Sequence, residues 1–375
     1  MNENKNGRRL EKATRREVLP LVVIFGILAV LSIASLVLPD RQFSPNENRY
    51  LEQRPEFTLK ALFSGKYTAD AEEYTADQVV LRDFWMEAAS TVQQSAMGKL
   101  EINNTWLGED GHYFAKVTPD TFDKAQYKKN LQQVEKFFET NADKNCHILM
   151  APTPAYMLPQ LLPKNAQLFD ADSCYDTLQS VFGEQFIDTR PVLGDASCYY
   201  RTDHHWTTEG ALAAYGVWCD AMGVAAKDWR LEQVSDAFRG TLYSQVMLPN
   251  SAYDNLSIAP DVKVVSVNSD GEMRDSIYSM EALEEKDHYK IFMGGNYAKV
   301  VIETGADTGR SLLLVKDSFA NSFVPFLTED YDTITLIDLR HCREEVQTIA
   351  DGCTDVLVLY ELTNFTADNN LFKLN

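Results

Sequence analysis

From Leu19 to Leu38 the chain runs twenty residues without a charged side chain and stops at Pro39-Asp40. As a helix rising about 1.5 Å per residue, this run covers roughly 30 Å, the thickness of a bilayer's hydrocarbon core. It has no polar face, which argues against a helix half-buried on a soluble core. Lys5, Arg8, Arg9, Lys12, Arg15 and Arg16 precede it, against Glu3, Glu11 and Glu17. The basic flank predicts a cytoplasmic tail over 1–18, a single-pass anchor over 19–38 and an extracellular remainder. A cleaved leader is the rival reading. Its apolar region would be shorter, about 7–15 residues, and no good small-x-small site precedes Pro39. An uncleaved anchor is therefore the expectation.

The formal net charge is −20, and the basic tail makes the outward portion more acidic still. Such a surface argues against nucleic acid or anionic lipid as the ligand and leaves a neutral or cationic glycan open. The six cysteines, at 146, 174, 198, 219, 342 and 353, lack CxxC or metal-type spacing. Cys146 and Cys219 sit in apolar stretches, so free thiols are expected.

Residues 39–120 read as an N-terminal extension packing on the core, with helical periodicity over 70–100 and a hairpin turning at Glu109-Asp110-Gly111. From 121 to 375 strand-like and helical segments alternate. Strands are expected over His147–Ala151, 186–188, 311–315, 333–338 and Asp355–Tyr360. Helices are expected over 173–183, 207–222, 320–328 and 342–350, and antiparallel strands within 261–303. This alternation predicts an α/β fold, a mostly parallel sheet flanked by helices.

Only 6 histidines occur in 375 residues, and two of them stand together in Asp203-His204-His205-Trp206. An Asp two positions before a His on a short turn can hold that imidazole in one tautomer and leave the other nitrogen as a general base. The serine it would serve is Ser318. The apolar run Ser311-Leu-Leu-Leu-Val ends at Lys316-Asp317-Ser318, and in an open α/β sheet reactive groups gather at strand carboxyl ends. The bland alternative is that Asp317-Ser318 only caps a helix. Asn364, after strand 355–360, is a candidate oxyanion donor or an ordinary turn residue. Asn296, after Gly294-Gly295, is a rival donor or substrate contact, and Arg340 a site residue or a surface ion pair. His204 is expected to be a structural or substrate-contacting residue and Trp206 to pack beneath the base. No third ligand accompanies the paired histidines, so neither a metal nor a cofactor is expected.

The segments Asp203-His-His-Trp206, Gly294-Gly-Asn296 and Lys316-Asp-Ser-Phe319 with Pro325-Phe-Leu resemble the family named for its Asp-His-His-Trp (DHHW) motif. Asn46, Arg49, Asp77, Arg82 and the Gly108–Phe114 hairpin extend the resemblance from about residue 43 to the end. That family is similar to the alginate O-acetylation proteins of the SGNH-hydrolase superfamily. The resemblance implies an SGNH-like sheet, circularly permuted, with Asp203, His205 and Ser318 as triad and Asn364 as oxyanion residue. Where the superfamily usually has Gly-Asp-Ser, this chain has Lys316-Asp317-Ser318. The implied activity is O-acetyl transfer to a cell-surface or secreted polysaccharide, beside a multi-span membrane O-acyltransferase. A carbohydrate acetylesterase and a non-catalytic scaffold or glycan-binding component of a polysaccharide export machine stay open.

Overall fold

The computed structural model describes residues 15–375. The expected tail, apart from its last residues, lies outside them. The chain divides into two compact units, one ending at Ala88 and the other running from Ala89 to Asn375.

The first unit opens with α1, Arg15–Val37. Its segment Val18–Val37 is long and apolar enough to cross a membrane and has none of its residues buried. A short two-stranded pair, Phe43–Ser44 with Arg49–Tyr50, follows, and then α2, Lys66–Asp77. Within this unit Arg49 donates to both carboxylate oxygens of Asp77, and Arg82 pairs with Glu47.

The second unit is built on an eight-stranded sheet. Its strands are β1 (Asn145–Ala151), β2 (Phe186–Ile187), β3 (Ser266–Ser269), β4 (Glu272–Arg274), β5 (Lys299–Glu303), β6 (Ser311–Lys316), β7 (Thr333–Ile337) and β8 (Asp355–Glu361). They lie in the order β4-β3-β5-β7-β6-β8-β1-β2. The five strands β7, β6, β8, β1 and β2 run parallel, and β5, β3 and β4 extend one edge antiparallel.

The run Ser311–Lys316 is apolar on both faces because both are covered, as a central parallel strand requires. Leu312 and Leu314 pack with Trp206, Tyr215 and Trp218 on one side. Leu313 and Val315 pack with Leu131, Phe137, Tyr175 and Phe365 on the other. The first side is covered by α5, Thr208–Met222, whose N-cap Thr207 accepts from the Gly210 N–H at 3.1 Å. The second carries α3, Lys124–Thr140, capped by Asp123, and α4, Ala171–Phe182, capped by Asp170.

The expected helices over 320–328 and 342–350 are the main departures. The first is two 3-10 turns, Ser318–Ser322 and Val324–Glu329, because Pro325 cannot supply an N–H to a continuous α-helix. The second shortens to Val346–Ala350. All six cysteines are unpaired.

Candidate active site

Asp203, His205 and Ser318 come together at the carboxyl end of β6. The loop carrying the first two is closed by a backbone bridge between Tyr199 and Trp206 and by the Tyr200 N–H donating to the His205 carbonyl at 3.3 Å. Buried Asp254 holds its flank, accepting from the Arg201 N–H at 2.9 Å and from the Thr202 hydroxyl at 2.6 Å.

Asp203 Oδ1 accepts from the His205 N–H at 3.0 Å and lies 2.5 Å from His205 Nδ1. Its Oδ2 accepts from the Thr241 N–H at 2.7 Å. Burial opposes ionisation of Asp203, but the adjacent His205 and His204 and these hydrogen bonds outweigh it and hold the carboxyl well below the usual range. His205 Nε2 is 2.8 Å from Ser318 Oγ. Tyr289 stacks on the His205 ring, centroids 3.9 Å apart and planes within 10°, and its hydroxyl donates to the Ser318 carbonyl at 3.1 Å. Trp206 is fully buried beneath the site, its Nε1–H donating to the Phe319 carbonyl at 2.9 Å.

Asp317 caps the turn that begins at Ser318, accepting from the Phe319 N–H at 2.9 Å. Capping and presentation of the serine are thus one arrangement. Its Oδ2 accepts from the Glu361 N–H at 2.9 Å and from Asn364 Nδ2 at 2.8 Å, which ties the end of β8 to the serine turn. Burial nevertheless raises the Asp317 carboxyl.

One of Asn364's two amide N–H groups is committed to Asp317. Asn296 is exposed, and its Oδ1 accepts from Lys316 Nζ at 3.3 Å and Asn321 Nδ2 at 3.2 Å. The Arg340 guanidinium donates to both Asp338 carboxylate oxygens, at 2.9 and 2.5 Å, and its backbone N–H to one of them at 3.1 Å. Lys316 is only 2% exposed. Its ammonium donates to Asn321 Oδ1 at 2.8 Å, and burial pushes it down to about 8.

Asp203, His204 and His205 also offer three possible metal ligands within 4.8 Å of one another. However, Asp203 and His205 Nδ1 already bond each other and His205 Nε2 faces Ser318, so these donors are engaged within the array. The His204 ring lies against that of His205, centroids 3.9 Å apart and planes tilted by 36°.

A cavity of about 230 Å³ lies beside the array, walled by residues such as Val117, Pro154, Phe169 and Leu242 and bordered by His204, Glu361 and Asn364. Glu361 is 4% exposed. Its Oε2 accepts from the N–H groups of Thr363 and Asn364, both at 2.9 Å, while Oε1 has no partner. Burial raises this carboxyl to about 7. Val117, Thr363 and Asn364 also border an open polar groove with Asn104, Asp120, Asp123 and Gln167.

Sequence reasoning missed Tyr289, Thr241, Asp254 and Glu361. Tyr289, Thr241 and Asp254 reach the site from segments without a motif. Glu361 ends the strand that leads to Asn364, and a carboxylate closing so apolar a strand was the signal available.

Fold and site together define an α/β protein with a mostly parallel sheet and an Asp-His-Ser array at its strand ends. Residues 189–337 match the family described as DHHW protein. No curated relative matches the chain. Among solved structures, a DHHW family protein from Eubacterium siraeum shares 22% identity at a TM-score of 0.60, over 73% of this chain and 95% of that one. Bacillus cereus PatB1, solved with a sulfonyl adduct, shares 21% at 0.60, over 73% and 100%. The O-acetyltransferase domain of Pseudomonas putida AlgJ is more distant, 14% identical at 0.45, over 72% and 94%.

Proposed function

We propose that the protein is a membrane-anchored O-acetyltransferase that modifies an extracellular polysaccharide through Ser318. The observation that carries this reading is the 2.8 Å approach of His205 Nε2 to Ser318 Oγ, with Nδ1 held at 2.5 Å by Asp203. His205 takes the proton as Ser318 Oγ attacks an acetyl ester, and passes it to the departing alkoxide. A sugar hydroxyl then attacks the acetyl-serine, giving its proton to His205, and Ser318 recovers it as it leaves. The Ser318 N–H, at the first position of a helical turn, has no partner within that turn and is available to the oxyanion, with Asn364 as second donor.

The polar groove beside the cavity suits a hydroxyl-rich chain. A bilayer-spanning α1 with a basic cytoplasmic flank would hold the site outside the cell, beside a multi-span membrane O-acyltransferase that supplies the acetyl group. The deciding experiment gives the folded protein an acetyl ester and an oligosaccharide together. Acetylated sugar by mass spectrometry, with a trapped acetyl-Ser318, supports transfer. Free acetate alone makes the protein an esterase. No acyl-enzyme and no turnover would sink both.

A further inference from the structure

In the unit of residues 15–88, the turn after α2 folds back against the C-terminal end of α1. The Val80 N–H donates to Ser35 Oγ at 3.0 Å, and Ser35 stands two residues before the end of α1 at Val37. Gln78 makes a reciprocal pair with the Arg41 backbone: Oε1 accepts from its N–H and Nε2 donates to its carbonyl, both at 2.9 Å. These bonds set the turn level with the helix end, between Ser35 within the apolar run and Arg41 beyond it.

The turn points apolar side chains outward. Val79 is 38% exposed, Leu81 62%, Phe84 56% and Trp85 43%. Leu81 has φ +58°, a left-handed conformation unfavourable for a residue other than glycine. The backbone is strained here, and the strained residue presents a leucine to the outside. Phe84 and Trp85 contact edge to face at 5.1 Å, and Trp85 Nε1 donates to the Val80 carbonyl at 3.1 Å. Nearby charges are turned on one another, Arg82 with Glu47 and Arg49 with Asp77.

We propose that Val79, Leu81, Phe84 and Trp85 form a wedge that enters the headgroup–acyl boundary of the bilayer spanned by α1. Height carries the argument. Two residues of helix are about 3 Å, so a turn bonded to Ser35 sits at the edge of the hydrocarbon layer, the zone where tryptophan and other amphipathic rings concentrate. A cluster facing water there would be an unfavourable apolar patch, whereas the same cluster in the interface is satisfied. The wedge rests on α1 being a retained span, since cleavage near Pro39 would remove Ser35. It is independent of the chemistry at Ser318.

The full-length chain in lipid nanodiscs tests it. Trp106, Trp206, Trp218 and Trp229 are buried, so Trp85 alone of the five tryptophans is open to quenchers. Lipids brominated near the headgroup end of the acyl chain should quench part of the emission, and Trp85→Phe should abolish that part. Retention of the native chain in membranes through an alkaline wash checks the span separately. Retention with Trp85 quenched by aqueous iodide instead of lipid overturns the wedge and leaves the span. Protection of Trp85 from both quenchers also overturns it, because protein then covers the turn. Loss of the chain in the wash overturns the span and the wedge with it.

Discussion

His205 Nε2 lies 2.8 Å from Ser318 Oγ across 113 residues of chain. The approach depends on two turns closing independently, one bridged by Tyr199 and Trp206, the other capped by Asp317. If the proposed chemistry is right, Ser318→Ala removes turnover of an acetyl ester while leaving circular dichroism and thermal unfolding intact. In a comparable serine enzyme the loss is on the order of 10⁶-fold in kcat. A sulfonyl fluoride should label the native protein at Ser318 and leave the variant unlabelled. Equal labelling of the two by mass spectrometry would refute the assignment of the nucleophile.

The two histidines should separate cleanly. His205 holds both Asp203 and Ser318, whereas His204, which its packed surroundings keep uncharged near neutral pH, lies against His205 at a tilt and borders the cavity. Asp203→Asn should cost about 10⁴-fold in kcat, because the tautomer is no longer enforced. His204→Ala should cost about 10-fold or less, read mainly in KM, since that side chain holds no proton in the reaction. A kcat loss at His204 matching that at Asp203 would overturn the role of His205.

Gly240 supports Asp203 at a distance from any motif. A Cβ on Gly240 would overlap the Asp203 carboxylate and its Cβ, although the backbone there, at φ −87°, suits any residue. Gly240→Ala should therefore push Asp203 off His205. The expected result is about 10²-fold or more in kcat and about 1–3 kcal/mol in urea stability. Gly216→Ala is the control, because a Cβ there meets nothing within 4 Å in the middle of α5. It should leave kcat unchanged.

Glu361 predicts a pH dependence of stability. Its carboxyl is raised from 4.5 to about 7, chiefly by burial. Between these values the folded chain holds more protons than the unfolded one, so its stability falls as pH rises through the interval and stays down above it. Integrated, the loss approaches about 3 kcal/mol. Glu361→Gln cannot titrate, so relative to wild type it should gain most of that amount between pH 4.5 and pH 8. Urea midpoints at the two pH values measure it. Parallel pH profiles for the two proteins would show that the carboxyl is not held protonated.

Several features were legible in the order of residues because they are local. The uncharged run Leu19–Leu38, the helix Thr208–Met222 with its Thr207 cap, and the apolar strand 311–316 each follow from side chains within a few positions of one another. Asp203-His-His-Trp206 was legible for the same reason, since the pairing of Asp203 with His205 spans two residues. The helix expected over 320–328 failed because Pro325 and the tight packing of Phe319, Phe323 and Phe326 favour 3-10 turns over one continuous helix.

What only the tertiary structure decided is what the strand order brings together. Placing β8 between β6 and β1 carries Glu361 and Asn364 to Asp317 and to the cavity. The stretch before β5 delivers Tyr289 onto His205, and the turn at Gly240-Thr241 closes on Asp203. These contacts join segments whose own local patterns are satisfied without them. Burial then shifts the ionisation of Glu361 and Lys316, because desolvation depends on every neighbour in space, and no window of sequence contains them.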